Sequence, residues 1–227
     1  MLSLERKEKL TITILGLAGI IATAISIPII IFLPKVSFEK QIVDEDFIIA
    51  NFIDCADIDN DDDLDIFGCA YFSNEIAWWE FSEGNFIKHD IDTTFSRVIH
   101  VHAVDLHKDG DKDLIATSEV LDQLAWWENI ETNFTKHVIT DTYDHPLRIN
   151  SIDFDHDGDI DVIGMAYDGN KLSWFENTGF NNFNEHVISE DLPRVTSCCA
   201  FEVDGDSDLD IFTAAGNEIA FWEDYLI

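Results

Sequence analysis

Basic side chains are scarce in this chain. Against 46 Asp and Glu there are only 13 Lys and Arg in 227 residues, a formal net charge of −33. A surface of that sign repels phosphate backbones, which excludes nucleic acid as a partner. Four bound divalent cations would remove only 8 of the 33 negative charges. Helical periodicity is also missing after residue 35, and that excludes EF-hands, whose calcium loops need flanking helices. No nucleophile–base pairing, phosphate-cradling loop or open His-rich metal site stands out. Cysteine is limited to Cys55, Cys69, Cys198 and Cys199. They read either as small buried apolar residues or as a bridge from Cys55 to one of the adjacent pair.

What the chain does have is repetition. The loop Asp153-Phe154-Asp155-His156-Asp157-Gly158-Asp159-Ile160-Asp161 has counterparts starting at Asp57, Asp105 and Glu202, in steps of 48, 48 and 49 residues. Two more segments keep the same register. Ala77-Trp78-Trp79-Glu80 returns as Ala125-Trp126-Trp127-Glu128, Ser173-Trp174-Phe175-Glu176 and Ala220-Phe221-Trp222-Glu223. Phe86-Ile87-Lys88-His89 returns as Phe134-Thr135-Lys136-His137 and Phe183-Asn184-Glu185-His186. A fixed period of this length signals a repeat architecture.

Each unit reads as four short strands, rich in Ile, Val, Phe and Trp and bounded by Asp, Asn and Gly. The expected fold is all-β: a β-propeller of four 48-residue, four-stranded blades over residues 36–227. The fourth unit stops at Ile227, before its Lys-His strand. Phe38-Glu39-Lys40-Gln41-Ile42-Val43 fits the pattern of the missing strand. Two closures are open: this N-terminal strand completes the last blade, or a half-ring is completed by dimerisation through strand exchange.

Residues 11–33 hold no charged side chain and are long enough to cross a bilayer. Arg6, Lys7 and Lys9 precede them, so residues 1–10 are expected in the cytoplasm and the repeats outside it. The expected location is a single-pass cell membrane protein. The alternative is a signal peptide cleaved near Ala22-Thr23-Ala24, leaving a secreted protein.

The loops hold 20 of the 46 acids, so charge is concentrated where a cation would sit. Calcium takes six to eight oxygens, mostly carboxylates and carbonyls, whereas zinc wants His or Cys. Loop positions 1, 3, 5 and 9 are expected to converge on Ca²⁺. These are Asp57, Asp59, Asp61 and Asp65 in the first loop and Asp153, Asp155, Asp157 and Asp161 in the third. Glu202, Asp204, Asp206 and Asp210 form the fourth set. The second loop has Asp105, Asp109 and Asp113, but His107 stands at position 3, so this site is expected to be the weakest of up to four. Position 7 (Asp63, Asp111, Asp159 and Asp208) completes the candidate metal residues, as added charge on an outward side chain. A left-handed turn is expected at position 6, where Asp62, Gly110, Gly158 and Ser207 stand.

The Trp pairs and the histidines His89, His137 and His186 repeat in register, which reads as packing. His100, His102, Arg148 and Asn150 differ between units and lie on first strands, which line the channel of a propeller. They are the candidate ligand contacts.

The acidic loops, followed by Trp126-Trp127-Glu128-Asn129, resemble FG-GAP/VCBS-type repeats, found in integrin α-subunit propellers and many secreted microbial proteins. The resemblance implies calcium at the loops and a role in adhesion or ligand recognition, with an extracellular protein or glycan as partner. The chain departs from that family in having four units where seven blades are usual. Its Trp-Trp-Glu-Asn and Phe-x-Lys-His segments are also similar to the propeller of fungal aldos-2-ulose dehydratases. That similarity implies the alternative functions of a sugar dehydratase or lyase; a structural cell-surface subunit is a third reading.

Overall fold

The computed structural model describes residues 37–179 and 181–223. The chain divides into two units, Met1–Ile42 and Val43–Ile227. The expected cytoplasmic segment 1–10 and anchor 11–33 lie outside the described residues. Among the described residues no helix is long and apolar enough to cross a membrane.

The second unit is all-β, and its strands fall into four antiparallel sheets in chain order. Sheet 1 contains β1 (Ala50–Ala56), β2 (Asp65–Ala70), β3 (Glu75–Ser82) and β4 (Asn85–Asp92). Sheet 2 contains β5 (Val98–Val104), β6 (Asp113–Ser118), β7 (Gln123–Ile130) and β8 (Asn133–Thr140). Sheet 3 contains β9 (Pro146–Ile152), β10 (Asp161–Ala166), β11 (Lys171–Asn177) and β12 (Phe183–Ser189). Sheet 4 has only β13 (Val195–Phe201), β14 (Asp210–Ala215) and β15 (Glu218–Trp222). Each acidic loop joins the first strand of a sheet to its second, as the repeat predicts.

Alternation sends neighbouring side chains to opposite faces of a sheet, and here both faces are apolar. One face of sheet 1 (Phe67, Cys69, Ile76, Trp78) packs on Val101, Leu114, Ala116 and Trp127 of sheet 2. The other face of sheet 2 (Ile115, Leu124, Trp126) packs on Ile149, Val162 and Phe175 of sheet 3. Ile163, Met165 and Leu172 of sheet 3 then meet Val195, Ile211 and Trp222 of sheet 4. The core is thus three successive layers between sheets. Gly164 shows how tight they are: a Cβ there would lie 2.9 Å from Leu124 and 3.0 Å from Phe175.

The repeated aromatics have two jobs. The first Trp of each pair stacks on the histidine of the fourth strand, at 4.5 Å for Trp78–His89, 4.6 Å for Trp126–His137 and 4.4 Å for Trp174–His186. Each histidine also bonds the next glutamate, at 2.9 Å to Glu80, 2.9 Å to Glu128 and 2.7 Å to Glu176. The second aromatic meets a ring edge-on: Trp79 with Phe47 at 4.8 Å, Trp127 with Phe95 at 5.0 Å and Phe175 with Tyr143 at 5.4 Å. Phe47, Phe95 and Tyr143 recur every 48 residues, a repeat that the sequence reading overlooked.

The closed ring is a correction. Phe38–Val43 forms no strand, and among the described residues sheet 4 has three strands. Phe38 is 96 % exposed and Ile42 58 %. The physical difference is at Gln41, which stands where the other fourth strands carry a histidine, so the ring stacking and imidazole–glutamate bond that tie those strands to their sheets have no counterpart here. Among the described residues no closed propeller is seen. All four cysteines are free as well, with Cys69 buried and its thiol pushed up to about 12 by that burial.

The asparagine that follows the Trp-Trp-Glu segment, read in the sequence only as part of a family motif, joins the sheets. Asn129 donates its amide to the Ile58 carbonyl of the preceding loop at 3.0 Å and to Lys112 at 3.1 Å. Asn177 does the same to Leu106 at 3.3 Å and Ile160 at 3.1 Å. In sheet 1 the equivalent residue is Phe81. Replacing Asn177 by Ala leaves buried carbonyls without a donor. Urea unfolding is expected to show a loss of about 1–3 kcal/mol, and an unchanged midpoint would contradict this role.

Candidate functional site

The loops fold on their own carboxylates. In the first loop Asp57 accepts the N–H of Asp61 and of Asp62, both at 3.1 Å. Asp105 does likewise for Asp109 and Gly110, both at 3.1 Å, and Asp153 accepts from Gly158 at 3.3 Å. Position 6 is left-handed throughout, with φ of 73° at Asp62, 103° at Gly110, 98° at Gly158 and 81° at Ser207. Position 4 turns the same way, at Asn60, Lys108, His156 and Gly205. Two left-handed residues curl nine residues into a tight cup.

Position 9 does more than the sequence suggested. Asp65, Asp113 and Asp161 are at most 1 % exposed. Each accepts the N–H of position 2 with one oxygen: Ile58 at 3.1 Å, Leu106 at 2.9 Å and Phe154 at 2.9 Å. The other oxygen accepts from the third strand: Phe81 at 2.9 Å, Asn129 at 2.9 Å and Asn177 at 2.8 Å. Burial raises the pKa of all three, against the pull of these bonds.

Four clusters could hold a metal ion, each with three ligating atoms within 4.8 Å of one another. They are Asp57, Asp59 and Asp61; Asp105, His107 and Asp113; Asp153, Asp155 and Asp161; and Glu202, Asp204 and Asp206. Three of the four expected positions converge in each loop, rather than all four. Asp65, Asp109, Asp157 and Asp210 stand outside these groups. Position 7 points elsewhere in two loops: Asp111 accepts from Asn60 of the preceding loop at 2.7 Å, and Asp159 lies 3.7 Å from Lys108. The backbone N–H of Asp208 donates to Asp206 at 3.1 Å.

The first loop carries the clearest sign of a cation site. Asp59 Oδ1 and Asp63 Oδ1 are buried with no hydrogen-bond donor. Burial raises the pKa of Asp59, helped by the charges of Asp65, Asp61 and Glu80. Glu80 belongs to the Trp-Trp-Glu segment, so that glutamate adds charge to the loop. Its fixed register against the loop was the available signal.

His107 makes the second loop different. Its Nδ1 lies 2.8 Å from Asp113, and its Nε2 lies 3.0 Å from Asp109 and 3.8 Å from Glu128. Burial opposes a charge on the ring. The hydrogen bond to Asp113 and the charges of Asp113, Asp109 and Glu128 outweigh it and raise the pKa. When protonated, the ring places positive charge inside a loop whose counterparts have only carboxylates at this position.

The second candidate site lies on the first strands. His100 is 8 % exposed, its Nδ1 has no hydrogen-bond partner, and Phe52 packs against it at 4.3 Å. Burial, with Arg148 and His102 nearby, lowers its pKa to about 4, so the ring is neutral at pH 7. His102 is also lowered by burial. Strand register puts Asp54, His102 and Asn150 at equivalent positions on β1, β5 and β9, and Phe52, His100 and Arg148 two residues before them. The expected ligand residues therefore occupy equivalent positions on the first strands of neighbouring sheets, and Asp54 joins them. Among the described residues, groups of three converging metal ligands occur only in the acidic loops, so these positions do not form one.

Tandem antiparallel sheets with an acidic cup in each define a β-repeat protein. Residues 153–213 match the model of the FG-GAP-like repeat, which bears out the resemblance read from the loops. The comparison with curated proteins gave no match. Among solved structures, the chain is similar to an Agrocybe aegerita lectin described as specifically recognising non-reducing terminal N-acetylglucosamine. Identity is 19 % and the TM-score 0.49, over 70 % of this chain and 45 % of that one. It is also similar to the V. cholerae biofilm matrix protein Bap1, at 17 % identity and TM-score 0.45, over 73 % of this chain and 28 % of that one. The chain thus spans less than half the length of either.

The raised pKa of His107 fixes the sign of a pH effect. A proton held more tightly in the folded state stabilises fully below the ordinary histidine value of 6.5. That stability is lost as pH rises through the higher folded value. In chelator, His107→Gln is expected to lower the melting temperature more at pH 6 than at pH 9. Equal losses at both would show that the charge contributes nothing.

Proposed function

We propose that this chain is a calcium-stabilised, propeller-type β-repeat module that binds an extracellular ligand. The observation that carries the reading is recurrence: in the acidic loop of every unit, positions 1 and 3 converge with either position 5 or position 9, their ligating atoms within 4.8 Å of one another. Such clusters repel themselves unless a cation neutralises them. The orphaned buried oxygens of Asp59 and Asp63 support this, because a carboxylate oxygen out of water needs either a donor or a metal.

Calcium suits the donor set better than zinc or magnesium. The first, third and fourth clusters offer only carboxylates, and calcium accepts irregular shells of six to eight oxygens. Asp57, Asp59 and Asp61, then Asp153, Asp155 and Asp161, then Glu202, Asp204 and Asp206 would hold the ions. When bound, calcium would supply neutralisation and rigidity. Extracytoplasmic placement, through the anchor expected at residues 11–33, agrees with millimolar calcium.

The ligand surface in this reading is the first-strand face. Arg148 donates, Asp54 accepts, and Asn150 does both, while neutral His100 keeps a buried nitrogen unpartnered. Paired donors and acceptors of this kind suit the hydroxyls of a glycan. Arg148 is exposed, so Arg148→Ala is expected to leave the melting temperature unchanged while lowering retention on a glycan array at least tenfold. Undiminished retention would remove this face from the reading.

Excess chelator tests the calcium claim. Three sites filled at a hundredfold excess over their dissociation constants add about 8 kcal/mol, so calcium removal should lower the melting temperature by roughly 15 °C or more. Titration calorimetry of His107→Asp should show one more calcium bound than the parent. A melting curve indifferent to chelator would end the calcium claim.

A further inference from the structure

Sheet 4 keeps an apolar face that has no cover among the described residues. Ile219 is 82 % exposed, Phe221 46 % and Phe201 48 %. Phe201, Phe212 and Phe221 form a ladder across three strands, with ring centroids 5.1 Å and 4.9 Å apart. The strand register names their equivalents. Ile219 corresponds to Leu172, Leu124 and Ile76, which are all 0 % exposed. Phe212 corresponds to Ile163, Ile115 and Phe67, which are at most 1 % exposed. In each earlier sheet this face is covered by the leading face of the next one.

The opposite end of the array shows the complementary deficit. Ile53 is 62 % exposed, whereas its equivalents Val101 and Ile149 are 0 % and 6 % exposed under the preceding sheet. Phe47 is half-buried, although Phe95 and Tyr143 are at most 1 % exposed. Phe81 replaces the asparagine that elsewhere bonds the preceding loop, so this end is also less polar than an internal junction. One exposed face has the make-up of a sheet awaiting a successor. The other has the make-up of that successor.

We propose that the trailing face of sheet 4 docks head to tail on the leading face of sheet 1 in a second copy of this chain. Three junctions between equivalent positions already exist within the unit and supply the pattern for this contact. Docking uses the faces of the sheets. It does not need the strand at Phe38–Val43 that exchange would require. Two such contacts join four sheets to four and close an eight-sheet ring, within the usual range for propellers. Heterologous contacts either close in this way or run on as open chains. The inference stands apart from the identity of the metal.

Two exposed positions make the test direct. The full chain in mild detergent with millimolar calcium is examined by sedimentation and light scattering. The parent is expected to form a dimer. Ile219→Glu blocks the trailing face and Ile53→Glu the leading face, so each variant alone is expected to be a monomer. An equimolar mixture still has one intact face of each kind, so it is expected to form a dimer containing one copy of each. Circular dichroism and melting of the single variants verify that they fold, as substitution at exposed positions should allow. A parent that stays monomeric at every concentration, or an assembly that survives either single change, overturns the proposal. So does a mixture that fails to associate.

Discussion

The first three acidic loops are each held to their sheet by one buried aspartate. Asp65, Asp113 and Asp161 each accept one N–H from the loop behind them and one from the strand beside them. A buried carboxylate with two such donors is tolerable, and without them it would be costly. This fixes where the loop begins and how it faces the third strand. Other features follow from that fixed point: the cup of carboxylates, the glutamate beside it, and the asparagine that reaches back to the previous loop. The acidity has a structural share before any cation is considered.

The aromatic repeat completes the sheet from the other side. A Trp–His stack and a His–Glu bond tie the fourth strand to the third. The glutamate so held lies near the acidic loop, where its charge bears on Asp59. Packing and candidate site are therefore coupled through Glu80 and its equivalents. Each unit also covers the face left open by the one before it, so stability comes from neighbours rather than from single sheets.

Much of this was legible in the sequence. The period, the strand types, the loop turns at position 6 and the structural role of the histidines all follow from local chemistry repeated in register. His107 was visible as an exception, although its bond to Asp113 was not. The double duty of position 9 was less accessible, because an aspartate that ligates and one that staples backbone look alike in one dimension. The bonding role of Asn129 and Asn177 was hidden for a similar reason. Their partners lie 71 residues back, and only the packing of sheet on sheet brings them together.

Ring closure marks the boundary between the two levels. The residues of each unit determine that it becomes a twisted antiparallel sheet with two apolar faces, since strand alternation and turn chemistry act over a few residues. A match between Phe38–Val43 and the fourth-strand pattern was not enough to make that segment a strand. Whether two distant faces meet depends on the angle accumulated over every intervening junction, and no single segment encodes that sum. Sequence alone thus determined the repeating unit and its charge. The tertiary structure decided which carboxylates converge, which support the backbone, and which faces remain uncovered.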